Sequence, residues 1–144
     1  MKTVIERRPA GTLQGVVEKL EYWTNEGRHR FYLIVSFIEL PDGRKRAIEF
    51  FMPVNIGGDA QEWVTSSMRL LSLAARGGFL DRALDDMQKV TWDKGPVRCG
   101  IHRKDDGTEV PKYHDSRVAA VAYAIQQIIA NYNAVPTSQP GNPS

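Results

Sequence analysis

The sequence predicts an α+β fold, an antiparallel β-meander of three or more strands packed against two or three helices. Three observations carry this expectation. The first third of the chain alternates apolar and polar residues and is broken by two turn signals. The period becomes helical after Gly57-Gly58. The resulting order, β-β-β-α-α-loop-α, has no βαβ alternation, so helices on an antiparallel sheet are the expected layers.

Residues 1–12 are polar, contain Pro9 and Gly11, and read as an N-terminal arm. Leu13 to Thr24 sets Val17, Lys19, Glu21 and Trp23 on one side and Val16, Glu18, Leu20 and Tyr22 on the other, the pattern of a strand. Asn25-Glu26-Gly27-Arg28 supplies a turn. Residues 29–40, with Phe31-Tyr32-Leu33-Ile34-Val35-Ser36-Phe37-Ile38, form the strongest strand. Both its faces are apolar, which predicts a central strand covered on both sides. Pro41-Asp42-Gly43 is the next turn, and residues 44–53 are the third strand.

Asp59 with Glu62 fits a capping box at the start of a helix. Trp63, Ser67, Leu70, Leu71 and Ala74 form its apolar stripe, and Gly77-Gly78 ends it. A second, shorter helix follows from Phe79 to Val90, with Leu80, Leu84 and Met87 on one face. Residues 91–114 have no clear period and read as a long loop with a turn at Asp105-Asp106-Gly107. Asp115 or Ser116 caps a last helix through Asn131, with the stripe Val118, Val121, Ala122, Ile125, Ile128, Ile129 and Tyr132. A Pro- and Ser-rich tail, 133–144, is expected to be disordered. One domain over 13–132 is therefore expected, with Phe31, Leu33, Val35, Leu70, Ile125 and Ile128 in its core.

Composition narrows the class. With 144 residues, 42% of them hydrophobic and 25% charged, the chain is neither collagen-like nor wholly disordered. No apolar run reaches the roughly 18–20 residues of a membrane span, and the start, Met1 to Arg8, lacks the apolar segment of a secretory signal. The single cysteine, Cys99, has no internal disulfide partner, which suits a reducing compartment, so a cytoplasmic location without a membrane partner is expected. Nineteen basic against 17 acidic residues leave a net charge of +2, too balanced to point to nucleic acid by charge alone.

Four constellations bear on chemistry. Cys99, His102, His114 and Asp115 combine the donor types of a tetrahedral zinc site. Strong zinc motifs carry two close Cys or His pairs, and this spacing does not, so no tightly bound zinc is expected. Cys99 beside Arg98 has a cation to lower its pKa, but no evident group orients His102 as its base, so no catalytic residue is assigned. Asn55 to Asp59 precedes a helix and resembles a phosphate loop, yet Asp59 at its mouth repels anions, and a strand-to-helix turn is the expected role. The fourth is the basic set Arg44, Lys45, Arg46, Lys94, Arg98, Arg103 and Lys104, with Trp92 and Tyr113 nearby. Within it, Trp92, Lys94, Arg98, Arg103 and Tyr113 are the expected ligand residues: arginine forks grip phosphates and aromatic rings stack on bases.

Several segments resemble the TSCPD domain. They are Gly15 at the first strand, Phe31-Tyr32-Leu33-Ile34-Val35, Ile48-Glu49-Phe50-Phe51, the Gly-Gly before the helix, and Arg69-Leu70-Leu71-Ser72-Leu73-Ala74-Ala75-Arg76-Gly77-Gly78. Gly95-Pro96-Val97 and the apolar last helix continue the likeness, which covers about residues 11–131. Such domains stand at or near the C-terminal end of adenosylcobalamin-dependent ribonucleotide reductases, and also occur as free proteins. The stretch that names the domain reads Lys112-Tyr113-His114-Asp115-Ser116 here; it keeps the Asp and lacks the Cys-Pro. The redox cysteine pair of the reductases is also missing.

The resemblance implies an accessory domain protein, not catalytic alone, that acts in assembly or nucleotide handling for deoxyribonucleotide synthesis. Its partner would be the reductase catalytic subunit, which would carry the adenosylcobalamin; this chain would bind no cofactor by itself. The alternative is a free nucleotide-binding module that sequesters a small, for example cyclic, nucleotide, as a phage regulator or anti-defence protein does. A homo-oligomer is compatible with both.

Overall fold

Residues 3–53 and 59–134 are described by the computed structural model. The elements are β1 (Gln14–Thr24), β2 (Gly27–Glu39), β3 (Lys45–Phe51), α1 (Asp59–Gly77), α2 (Leu80–Gln88), β4 (Val97–Arg103), β5 (Glu109–His114) and α3 (Arg117–Ala134). The strands form one antiparallel sheet in the order β3-β2-β1-β4-β5. The α+β architecture and the β1-β2-β3 meander thus stand as the sequence implies. The Asp59 side chain, and with it the expected capping box, the loop before it and the tail from residue 135 lie outside what is described.

The expected loop over 91–114 is instead largely the hairpin β4–β5, which extends the sheet from the free edge of β1. Its period is hidden by a bulge. The register of β4 against β5 shifts between Arg98 and Ile101, and Gly100 there has φ +80°. Val97 and Cys99 consequently point to the core, while Ile101, two residues further, is exposed. Pro111 in β5 removes a donor, which an edge strand tolerates.

Alternation along the strands sorts the sheet into a covered and an open face. On the covered face lie Tyr22 of β1, Phe31, Leu33, Val35 and Phe37 of β2, Phe50 of β3, and Val97 and Cys99 of β4, all buried. The residues between them are half-buried or exposed: Val17 is 69% and Tyr32 42% accessible. The expectation that β2 is covered on both sides is therefore corrected. It is paired on both edges, by β1 and β3, but helices cover only one of its faces.

The core stripe of α1 is also corrected. Leu70, expected inside, is 64% accessible, and Trp63 is 71%. Leu71 of the expected stripe is buried, but Met68, Ser72 and Ala75 join it inside instead of Trp63 and Leu70, a face turned by one residue, or about 100°. The orientation is set by polar contacts with β3. The Phe50 amide donates to Ser72 Oγ at 2.9 Å, and Ser72 Oγ donates to the Met68 carbonyl at 2.8 Å. The buried Arg46 donates through Nη2 to the carbonyls of Ala75 and Arg76 at 2.9 and 3.1 Å. Arg46 is thus a clamp between β3 and the end of α1, and α1 occupies polar groups of β3 that an edge strand would otherwise expose.

Gly78, at φ +93°, ends α1 as expected. Its amide donates to Ala75 and that of Phe79 to Ala74, the pair of bonds of a Schellman cap. Ser116 caps α3: its Oγ accepts from the Ala119 amide at 3.0 Å and donates to the Val90 carbonyl at 2.6 Å. Ile125 and Ile128 are buried as expected, whereas Val118 of the same stripe is 36% accessible. α3 runs to Ala134, so a boundary at 133 falls within its last turn. There Asn133 bonds both the amide and the carbonyl of Lys45, tying the helix end to β3.

Candidate functional site

The open face of the sheet carries a row that crosses four strands. Arg28 of β2 stands opposite Trp23 of β1, Trp23 opposite Arg98 of β4, and Arg98 opposite Tyr113 of β5. Cation and aromatic alternate along this row, with neighbouring strands about 4.8 Å apart. The Arg98 guanidinium lies 4.2 Å from the Trp23 ring centroid, a cation–π contact. Glu21, one step along β1 on the same face, lies 3.5 Å from Arg28 and 3.9 Å from Arg30. It offsets part of their charge. Tyr113 is 59% accessible and Arg28 has half its side chain exposed. Towards the other end of the face, Phe51, Ile34 and Val17 form an apolar row across β3, β2 and β1.

The five expected ligand residues do not come together. Arg98 and Tyr113 enter the cation–aromatic row. Arg103 sits at the far end of the β4–β5 hairpin, where it pairs with Glu109. Trp92 and Lys94 lie at the sheet's other side, lining a cavity with Tyr22, His29 and Arg117. Trp92 is positioned by its indole N–H, which donates to the Gly95 carbonyl at 2.6 Å, and Arg117 lies 5.6 Å from its ring. Trp23 and Arg28 were not among the expected residues. The signal for them was the alternation of β1 and β2, which places both on the side away from Tyr22 and Phe31; pairing with Arg98 depends on a contact 75 residues along the chain.

The sulfur and imidazole groups are dispersed as well. Cys99 is buried, and its thiol donates to the Glu21 carbonyl at 3.4 Å. Burial pushes its pKa up, which favours the neutral thiol over the nucleophilic thiolate. His114 is buried, with Nε2 3.0 Å from the Cys99 carbonyl oxygen. Burial holds its pKa below the usual value, while the Cys99 carbonyl and Asp115 oppose this and Lys112 reinforces it. His102 and Asp115 are exposed on β4 and beyond β5. Among the described residues no group of three or more His, Cys, Asp or Glu is arranged to hold a metal ion. No helix of the described residues is long and apolar enough to cross a membrane.

Trp, Tyr, Phe and Arg are the residue types that concentrate binding energy in interfaces, and on this face Trp23 and Arg98 are half-buried while Tyr113, Phe51 and Arg28 are exposed. A small ligand needs a concave site instead, and the cavities beside Tyr22, on the covered side, provide one. Comparison with protein-family models, with curated proteins and with solved structures finds no match.

Proposed function

We propose that this chain is a non-catalytic accessory module of an adenosylcobalamin-dependent ribonucleotide reductase, which docks on the catalytic subunit through the open face of its sheet. The observation that supports docking is the row Arg28–Trp23–Arg98–Tyr113 beside the apolar row Phe51–Ile34–Val17. The association with a reductase comes from the TSCPD resemblance. The accessory role fits a cysteine whose thiol is buried and kept protonated. On this reading the cobalamin and the radical chemistry belong to the partner subunit.

The test is direct binding to the catalytic subunit of a cobalamin-dependent reductase from the same source. Association of the wild-type chain is expected, with Trp23→Ala and Arg98→Ala each weakening it by a factor of about 30, the loss of one interface hot spot of about 2 kcal/mol. Both variants should keep the wild-type melting temperature within a few degrees. No association, or association indifferent to both substitutions, overturns the reading.

A second reading, a free nucleotide-binding module, is favoured by a different observation, the cleft that gathers Trp92, Lys94 and Arg117 on the covered side. The two readings are compatible in one molecule, because their surfaces lie on opposite sides of the sheet.

A further inference from the structure

Two cavities share Tyr22 and Arg117 in their walls. The first, about 150 Å³, has Phe31, Met52, Val64, Met68, Met87 and Val121 in its walls. Methionine thioethers are polarizable and pack well against the edges of aromatic rings, so this compartment suits a flat aromatic group. Arg30, Gln61 and Ser67 line it too; the last two each offer both donor and acceptor for the edge of such a ring, and Arg30 adds a donor. The second compartment, about 250 Å³, carries the charged side chains. Lys94 and Arg117 line it against a single carboxylate, Glu26, and His29 and Thr24 add hydrogen-bonding groups.

The cations here are placed without being neutralised. Neither Arg117 nor Lys94 forms an ion pair with a described residue. Arg117 is held against Trp92, which is itself fixed by its bond to Gly95. His29 is similarly fixed, stacked on Tyr22 with centroids 4.8 Å apart and bonded to Thr24 Oγ1 through Nε2 at 3.0 Å. An apolar slot with edge hydrogen-bonding groups, opening onto two unpaired cations, matches one ligand shape: a flat heteroaromatic ring joined to an anion.

We infer that this two-part cleft binds a nucleoside phosphate, with the base in the methionine-lined compartment and the phosphate between Arg117 and Lys94. The inference names the site and ligand class for the nucleotide-handling part of the reading above, and rests on that part alone. It does not require the open face.

The experiment is calorimetric titration of the full chain with AMP, CMP, GMP and UMP, and separately with adenosine and inorganic phosphate. At least one monophosphate is expected to bind at least tenfold more tightly than adenosine or phosphate alone. Arg117→Ala and Lys94→Ala should each weaken it by tenfold or more with an unchanged melting temperature. Both side chains are exposed, so neither substitution threatens the fold. Trp23→Ala, on the other face, should leave the titration unaltered. Absence of binding by all four nucleotides at millimolar concentration overturns the inference. So does binding indifferent to both cation substitutions, or tighter binding of an aliphatic anion such as octanoate. Docking on the reductase is read separately through Trp23, so loss of nucleotide binding with docking intact removes the cleft site alone.

Discussion

The two faces of this sheet are made by the same strands and obey different rules. Along β2, Leu33 is fully buried and Tyr32, its neighbour, is 42% accessible. Covered positions answer to volume: Phe31, Leu33, Val35 and Phe50 fill space against the helices, and each is replaceable only by a residue of similar size. Open positions answer to pairing. Arg28, Trp23, Arg98 and Tyr113 stand opposite one another across strands, with Arg98 over the Trp23 ring. The difference teaches that an alternating strand pattern need not mean a solvated outer face of no further interest. Here the outer face is ordered by cation–π and charge contacts of its own.

The sharpest way to break this comparison is truncation on each side. Leu33→Ala should cost about 2–5 kcal/mol through lost transfer energy and the cavity left behind. Val17→Ala, on the open face, should stay within about 0.5 kcal/mol. Urea unfolding midpoints decide it, and equal losses would erase the distinction between the faces. The same contrast recurs on α1, one residue apart. Leu71→Ala should again cost about 2–5 kcal/mol, and Leu70→Ala about 0.5 kcal/mol or less. A reversed order would restore the stripe that periodicity suggests.

A smaller effect concerns His114, at the covered end of β5. Its native pKa is depressed by burial, so between that value and about 6.5 the unfolded chain binds more protons than the native one. Stability is complete above about pH 6.5 and is lost as pH falls through the depressed value. The midpoint should therefore drop between pH 7.5 and 5.5 in the wild type, and drop less in His114→Gln. An equal drop in both would place the acid sensitivity elsewhere. Smallest of all should be Arg103→Ala. It removes an exposed ion pair with Glu109, expected to contribute about 0–0.5 kcal/mol and to fade in high salt. A larger loss would mean that the hairpin tip carries more of the sheet's stability than its exposure implies.

Much of the fold was legible because it depends on local signals. Pro41-Asp42-Gly43 turns the chain where a turn was expected, with Gly43 at φ +89°. Gly78 ends α1 and Ser116 begins α3, since both caps need only a few neighbouring residues. The β4–β5 hairpin was missed because a single bulge glycine shifts the period, and a shifted period reads as no period. The face of α1 was misjudged because two apolar stripes lie one residue apart. Hydrophobicity favours the one with Trp63 and Leu70, whereas Ser72 and Arg46 settle the other by hydrogen bonds to partners 22 to 30 residues away.

The candidate sites divide in the same way. Arg98 and Tyr113 were identified as residue types, and so were Trp92 and Lys94, but their grouping was not. By itself the sequence determined the layer architecture, the meander, the caps at Gly78 and Ser116 and the inventory of aromatic and cationic side chains, because alternation and turn chemistry act within a few residues. Only the tertiary structure decided which of those side chains meet. The pairing of β1 with β4 brings Trp23 to Arg98, and the bond from Ser116 at the start of α3 to the Val90 carbonyl sets Arg117 beside Trp92. Both are long-range contacts, set by how the whole core closes and not by any segment within it.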